Sequence, residues 1–103
     1  MKYNEVIEMK AVKSKNNSNN LVIPNFKREA EEPVFEKIKA EFIKNPKITV
    51  EREINGPFQD IIESKCNDDE VTLCYDYQFG LCPIRCTENN VDIIMNIIND
   101  VMD

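Results

Sequence analysis

Four cysteines, Cys66, Cys74, Cys82 and Cys86, have the most chemistry to offer in this 103-residue chain. Three of them fall in VTLCYDYQFGLCPIRC, residues 71 to 86, with two of the three tyrosines. Zinc modules supply ligands as C-x2–4-C pairs, because a tight turn must bring two sulfurs to one ion. Only Cys82 and Cys86 approach that spacing, and CPIRC reads as a strand. Four strand residues extend about 13 Å, so those sulfurs would not share a metal. No metal site is expected, and a cysteine-ligated zinc module is kept only as a minor alternative.

A disulfide is disfavoured on register. The hairpin reads as strands 70–77 and 81–86 around Gln78-Phe79-Gly80, a three-residue turn ending in glycine. Tyr77 would then face Leu81, Cys74 would face Ile84 and Cys82 would face Asp76. Cys74 and Cys82 would share a sheet face but sit diagonally, a poor geometry for a bridge. The cysteines are therefore expected as small buried apolar side chains in a scaffold.

Catalysis has little to work with. The chain contains no histidine, so the usual base for activating a thiol or hydroxyl is missing. Two glycines cannot build a phosphate-cradling loop. The carboxylates Glu51/Glu53 and Asp68-Asp69-Glu70 read as a solvated strand edge and a turn. The latter run lacks the alternating ligands and sixth-position glycine of a calcium loop. No catalytic residue, cofactor or metal is expected.

Charge is more informative. The net charge of −6 conceals an asymmetry. Residues 1–50 carry 10 basic and 7 acidic side chains, whereas residues 51–103 carry 3 and 12. An acidic half repels nucleic acid and speeds encounter with basic surfaces. The lysine-rich start (Lys10, Lys13, Lys15, Lys27, Arg28) lacks interleaved aromatics for base stacking, so direct nucleic-acid binding is not expected. The expected role is a small, non-catalytic binding protein that docks a basic protein partner. By type it suggests an inhibitor or immunity protein, or a phage anti-defence protein, acting on a nucleic-acid enzyme. Its contact residues would be Glu51, Glu53, Asp68, Asp69, Glu70 and Asp76, with Tyr75, Tyr77 and Phe79 as aromatic anchors. A structural or regulatory homodimer is the alternative. The 13 asparagines, 13 isoleucines and 10 lysines fit an AT-rich genome, as in a low-GC bacterium or its phage.

The elements that must position these residues form one domain over 1–103. Tyr3 to Val12 alternates as a strand with Ile7, Met9 and Ala11 on its apolar side. Residues 13–20, KSKNNSNN, are a mobile polar loop or arm, and residues 21–24 form a short edge strand ended by Pro24. EEPVFEKIKAEFIKNP is a helix with Phe35, Ile38 and Phe42 on one stripe; Pro33 and the acidic start suit its N-terminus. KITVEREI is a strand with Ile48, Val50 and Ile54 on one face and Thr49, Glu51 and Glu53 on the other. Residues 57–66 read narrowly as a short helix opened by Pro57; the rival is a strand returning through the turn NDDE. Thr87 caps a final helix whose stripe runs Val91, Ile94, Met95, Ile98 and Val101. The fold class is α+β: a two-layer domain, a mostly antiparallel sheet of about four strands, and two main helices on one face. No run is long enough to span a membrane, and the charged N-terminus MKYNEVIEMK does not resemble a signal peptide, so the chain is expected in the cytoplasm.

Overall fold

The computed structural model describes residues 9–102. Tyr3 and Ile7 of the expected N-terminal strand lie outside the described residues. The chain runs β1 (Val12–Lys13), β2 (Asn20–Val22), α1 (Glu32–Lys44), β3 (Thr49–Asn55), β4 (Gln59–Cys66), β5 (Asp69–Asp76), β6 (Gly80–Leu81), β7 (Ile84–Arg85) and α2 (Val91–Met102). Among the described residues the strands form one antiparallel seven-stranded sheet in the order β1-β2-β7-β5-β4-β3, with β6 paired to β5 beyond the end of β7. Both helices pack against it, as the α+β reading expected. The strand count exceeds four because two- and three-residue strands are too short to show a period of two.

The core is one cluster between helices and sheet. Phe35, Ile38 and Phe42 of α1 meet Ile62, Val71, Leu73 and Ile84 of the sheet and Val91, Ile94, Ile97 and Ile98 of α2, all buried. Three or four apolar positions on one stripe suffice to commit each helix to this face. Asn45 ends α1 in an extended conformation, its N–H still donating to the Glu41 carbonyl at 2.9 Å.

Three readings of the sequence are corrected. First, residues 57–66 are not a helix: Pro57 sits in the β3–β4 turn, and Gln59–Cys66 pairs along its whole length with β5. The adjacent Ile61 and Ile62 do not mark a helical stripe. They straddle the strand, Ile62 buried in the core and Ile61 half-exposed opposite Cys74. Second, β2 is not an edge strand, because β1 and β7 flank it. The polar residues before it close the β1–β2 hairpin, with the Ser14 N–H donating to the Asn20 carbonyl at 2.8 Å. Third, the alternation of β3 breaks at Glu51. The register against β4 shifts between Val50 and Arg52, a bulge that reverses the faces beyond it. Val50 stays on the helix side opposite Ser64, but Ile54 pairs with Ile61 on the helix-free side. Glu53 turns under α1, where it forms an ion pair with Lys39.

The β4–β5 connection explains why this hairpin forms. Asn67 and Asp68 have φ of 57° and 65°, the two positive values of a two-residue mirror-image turn. Asparagine tolerates that conformation; glycine suits the second position better. Asp68→Gly is therefore expected to raise folding stability by about 0.5–1 kcal/mol, read as a higher urea midpoint at unchanged slope.

Candidate functional site

The end of the sheet near the N-terminus of α1 gathers three exposed aromatic rings. Phe58 is 76% exposed, Tyr77 50% and Phe79 80%. Two turns present them. In the β3–β4 turn the Gly56 N–H donates to the Gln59 carbonyl at 2.9 Å, and Pro57 fixes the backbone ahead of Phe58. In the β5–β6 turn the loop is Tyr77-Gln78-Phe79, closed by the pair Asp76–Gly80. The Tyr77 N–H donates to the Phe58 carbonyl at 2.9 Å, which fastens one turn to the other.

Carboxylates hold this end in shape. Asp76 Oδ1 accepts from the N–H groups of Gln78 and Phe79, each at 2.9 Å, and its Oδ2 accepts from Gln59 Nε2 at 3.0 Å. The bond from Gln59, followed by those two N–H groups, holds the Asp76 carboxyl below its ordinary value. The Tyr77 hydroxyl donates to Asp60 Oδ1 at 2.5 Å, and that bond raises its own pKa. Glu31 precedes α1 without capping it by its side chain. Its Oε1 instead accepts from the Leu81 N–H at 2.8 Å. Gly80, at φ 91°, makes room for this, since a Cβ there would run into the Glu31 carboxylate.

The nine residues expected as partner contacts do not form one patch. Tyr75 turns inward, its ring 5.6 Å from that of Phe35. Glu53 is occupied by Lys39, whose pKa it raises through the bond between them. Asp69 accepts from Thr87 Oγ1 at 2.9 Å and Asn89 Nδ2 at 2.8 Å, and the Asn89 bond does most to lower its pKa. Glu51 and Glu70 line a small polar hollow with Glu63, while Arg52 reaches Glu63 through two nitrogens at 3.1 and 3.3 Å. Asp68 is exposed in its turn. Asp68, Asp69 and Glu70 sit at one end of β5, and Asp76, Tyr77 and Phe79 at the other. Seven strand steps separate Asp69 from Asp76, roughly 23 Å. Phe58 is missing from the expected contacts because Pro57, on sequence alone, reads as a helix start. The signal was Asn55-Gly56-Pro57 between two strands, which leaves the next residue at a turn.

The cysteines divide between the two faces. Cys66 is buried in the core and Cys86 packs against it, while Cys74 and Cys82 line a groove on the helix-free face. Burial raises the Cys66 thiol and pushes Cys86 up to about 12; burial, then the Cys82 thiol, pushes Cys74 up to about 12. Among the described residues, no three His, Cys, Asp or Glu side chains come together to hold a metal ion. No described helix is long and apolar enough to cross a membrane.

The class these features define is a small antiparallel α+β domain with an aromatic, carboxylate-braced sheet end. Comparison with protein-family models, curated proteins and solved structures finds no match for the chain.

Proposed function

We propose that this chain is a non-catalytic binding module that docks a basic protein surface through the aromatic end of its sheet. The observation that carries the reading is the co-location of Phe58, Tyr77 and Phe79, exposed and braced, among Asp60, Asp76 and the acidic start of α1. Rigid aromatic side chains lose little rotamer entropy on binding and dominate interface energetics. The surrounding negative charge selects a basic partner and speeds encounter with it. A nucleic-acid enzyme, whose substrate face must be basic, is the partner type that fits this field. The absence of histidine and the raised thiols at Cys74 and Cys86 support a role without catalysis. Homodimerisation by edge pairing is less favoured. Among the described strands β3 is an edge, but its bulge and its run Glu51-Arg52-Glu53 oppose strand addition.

The test begins with capture from a nuclease-treated lysate of the source cell along a salt gradient. The captured protein is then purified and its affinity measured by calorimetry. A basic partner that binds one to one, and more weakly as salt rises, should lose at least about 100-fold in affinity with the double variant Phe58→Ala, Phe79→Ala. Neutralising Asp68, Asp69 and Glu70 should cost far less. The reading fails if the aromatic variant binds normally, or if the chain returns only itself as a salt-resistant oligomer.

A further inference from the structure

We propose that Cys74 and Cys82 are a reversible oxidation site, closing to a cross-strand disulfide under a hydroperoxide while Cys66 and Cys86 remain thiols. The inference rests on the hairpin register. Tyr75 pairs with Leu81 and Asp76 with Gly80, so Cys74 lies directly opposite Cys82, not diagonal to it. The Cys82 N–H donates to the Cys74 carbonyl at 3.0 Å, and the two sulfurs stand 3.4 Å apart. Directly opposed antiparallel residues have Cα atoms about 4.5–5.5 Å apart, inside the range a disulfide spans. Modest side-chain rotation brings the sulfurs to bonding distance with the backbone in place.

Pairing, with access, separates these two from the others: Cys86 is half-exposed as they are, but its sulfur faces the Ile84 carbonyl at 3.9 Å and not another thiol. Cys74 and Cys82 are half-exposed in a groove of about 320 Å³ on the helix-free face, lined also by Ile61, Thr72, Pro83 and Arg85. Cys66 is 3% exposed in the core, and Cys86 packs against the same cluster. The chemistry balances with the peroxide as the two-electron oxidant. The Cys82 thiolate attacks one peroxide oxygen, the O–O bond breaks, and Cys82 becomes a sulfenic acid as hydroxide leaves. The Cys74 sulfur then attacks the Cys82 sulfur, its proton leaving with the sulfenic hydroxyl as water. Two thiols and one peroxide give one disulfide and two waters. Cys74 is the resolving partner because burial, the Cys82 thiol and the carboxylates Asp76 and Asp60 keep it protonated.

The site is independent of the docking reading, and its test reads covalent state alone. The reduced full-length chain is treated with one equivalent of hydrogen peroxide, denatured and alkylated, and its mass measured. The expected product is a monomer with two alkylated thiols in place of four, about 2 Da lighter before alkylation. A chymotryptic digest, cutting after Tyr75 or Tyr77, should join the Cys74 and Cys82 peptides, and dithiothreitol should restore all four thiols. In Cys74→Ser, dimedone should trap a sulfenic acid at Cys82. In Cys82→Ser the intramolecular crosslink should vanish. Crosslinking through Cys66 or Cys86, an intermolecular dimer as the main product, or four thiols surviving the treatment would overturn the assignment.

Discussion

Phe35→Ala is expected to remove about 3–5 kcal/mol of folding stability, read by urea denaturation. Phe35 is fully buried, one turn into α1, and its N–H donates to the Glu31 carbonyl at 3.0 Å. Its ring rests against Tyr75, whose own ring lies 6.4 Å from Tyr77. Truncation therefore opens a cavity where the helix meets the strand that presents the aromatic end. A domain of this size is stable by only about 5–15 kcal/mol, so the loss is a large share of the total. Phe35→Leu should retain most of the stability because it keeps most of the volume. Ile43, 60% exposed on the same helix, is the control: Ile43→Ala should change stability by no more than about 0.5 kcal/mol. A cost below about 1.5 kcal/mol for Phe35→Ala would mean that α1 is not fastened to the sheet by this residue.

The elements with a sustained period were legible, and those defined by a single local event were not. Phe35, Ile38 and Phe42 repeat on one helical face, and all three are buried. The strand character of residues 49–55 was equally plain. Its faces were not, because one extra residue at Glu51 reverses every side chain beyond it, and no pattern over seven residues marks a bulge. That reversal puts Glu53 on the helix side of the sheet, where it pairs with Lys39 while staying exposed. Residues 59–66 misled for another reason. Adjacent isoleucines and a leading proline are common to helix starts and to strands that bury something on both faces. The turn chemistry of Asn67-Asp68 distinguished the two.

The hairpin carried the largest consequence of a small displacement. Its loop lies one position earlier at each end than Gln78-Phe79-Gly80, since Gly80 pairs with Asp76. This brings Cys74 and Cys82 from a diagonal to an opposed pair. It also makes Asp76 the residue that holds the turn, which takes it out of the freely available carboxylates. Composition located the acidic half, but a count of charges cannot tell a carboxylate already bonded within the fold from one available to a partner. Asp69 and Asp76 are spent on turns, and the exposed rings beside them remain for binding.

Asn90 is the residue whose importance was least visible in the sequence, and Asn90→Asp is expected to cost more stability than Asn90→Ala although it preserves the shape. Thr87 was expected to cap α2. Instead the helix begins at Val91, with the Ile94 N–H donating to the Asn90 carbonyl at 2.9 Å. Thr87 opens the turn before it, its hydroxyl accepting from the Asn89 N–H at 3.3 Å and donating to Asp69. The Asn90 side chain is fully buried. Its Oδ1 accepts from the Thr87 N–H at 2.8 Å, and its Nδ2 faces the carbonyls of Cys66, Asp69 and Glu70 at 3.0, 3.2 and 3.4 Å. One amide thus ties the start of α2 to the β4–β5 turn. Alanine removes the amide's bonds to those carbonyls and leaves the Thr87 N–H unpaired, a loss of about 2–4 kcal/mol. Aspartate keeps the bond from Thr87 but aims a carboxylate at three carbonyl oxygens in a dry site, raising the loss above the alanine figure. Burial and those oxygens favour the protonated acid, so its folded pKa lies above the unfolded value near 3.9. The sign follows: the folded state binds the extra proton, so the aspartate variant regains stability relative to wild type as pH falls from about 7 toward 4. Urea midpoints of the three proteins across that range decide the matter. A flat difference between Asn90→Asp and wild type would show that the amide is not donating to those carbonyls. Because Asn90 serves the end of β5 opposite Tyr77 and Phe79, folded Asn90→Ala should dock its partner within about twofold of wild type, whereas Phe58→Ala, Phe79→Ala should fold normally and fail to dock.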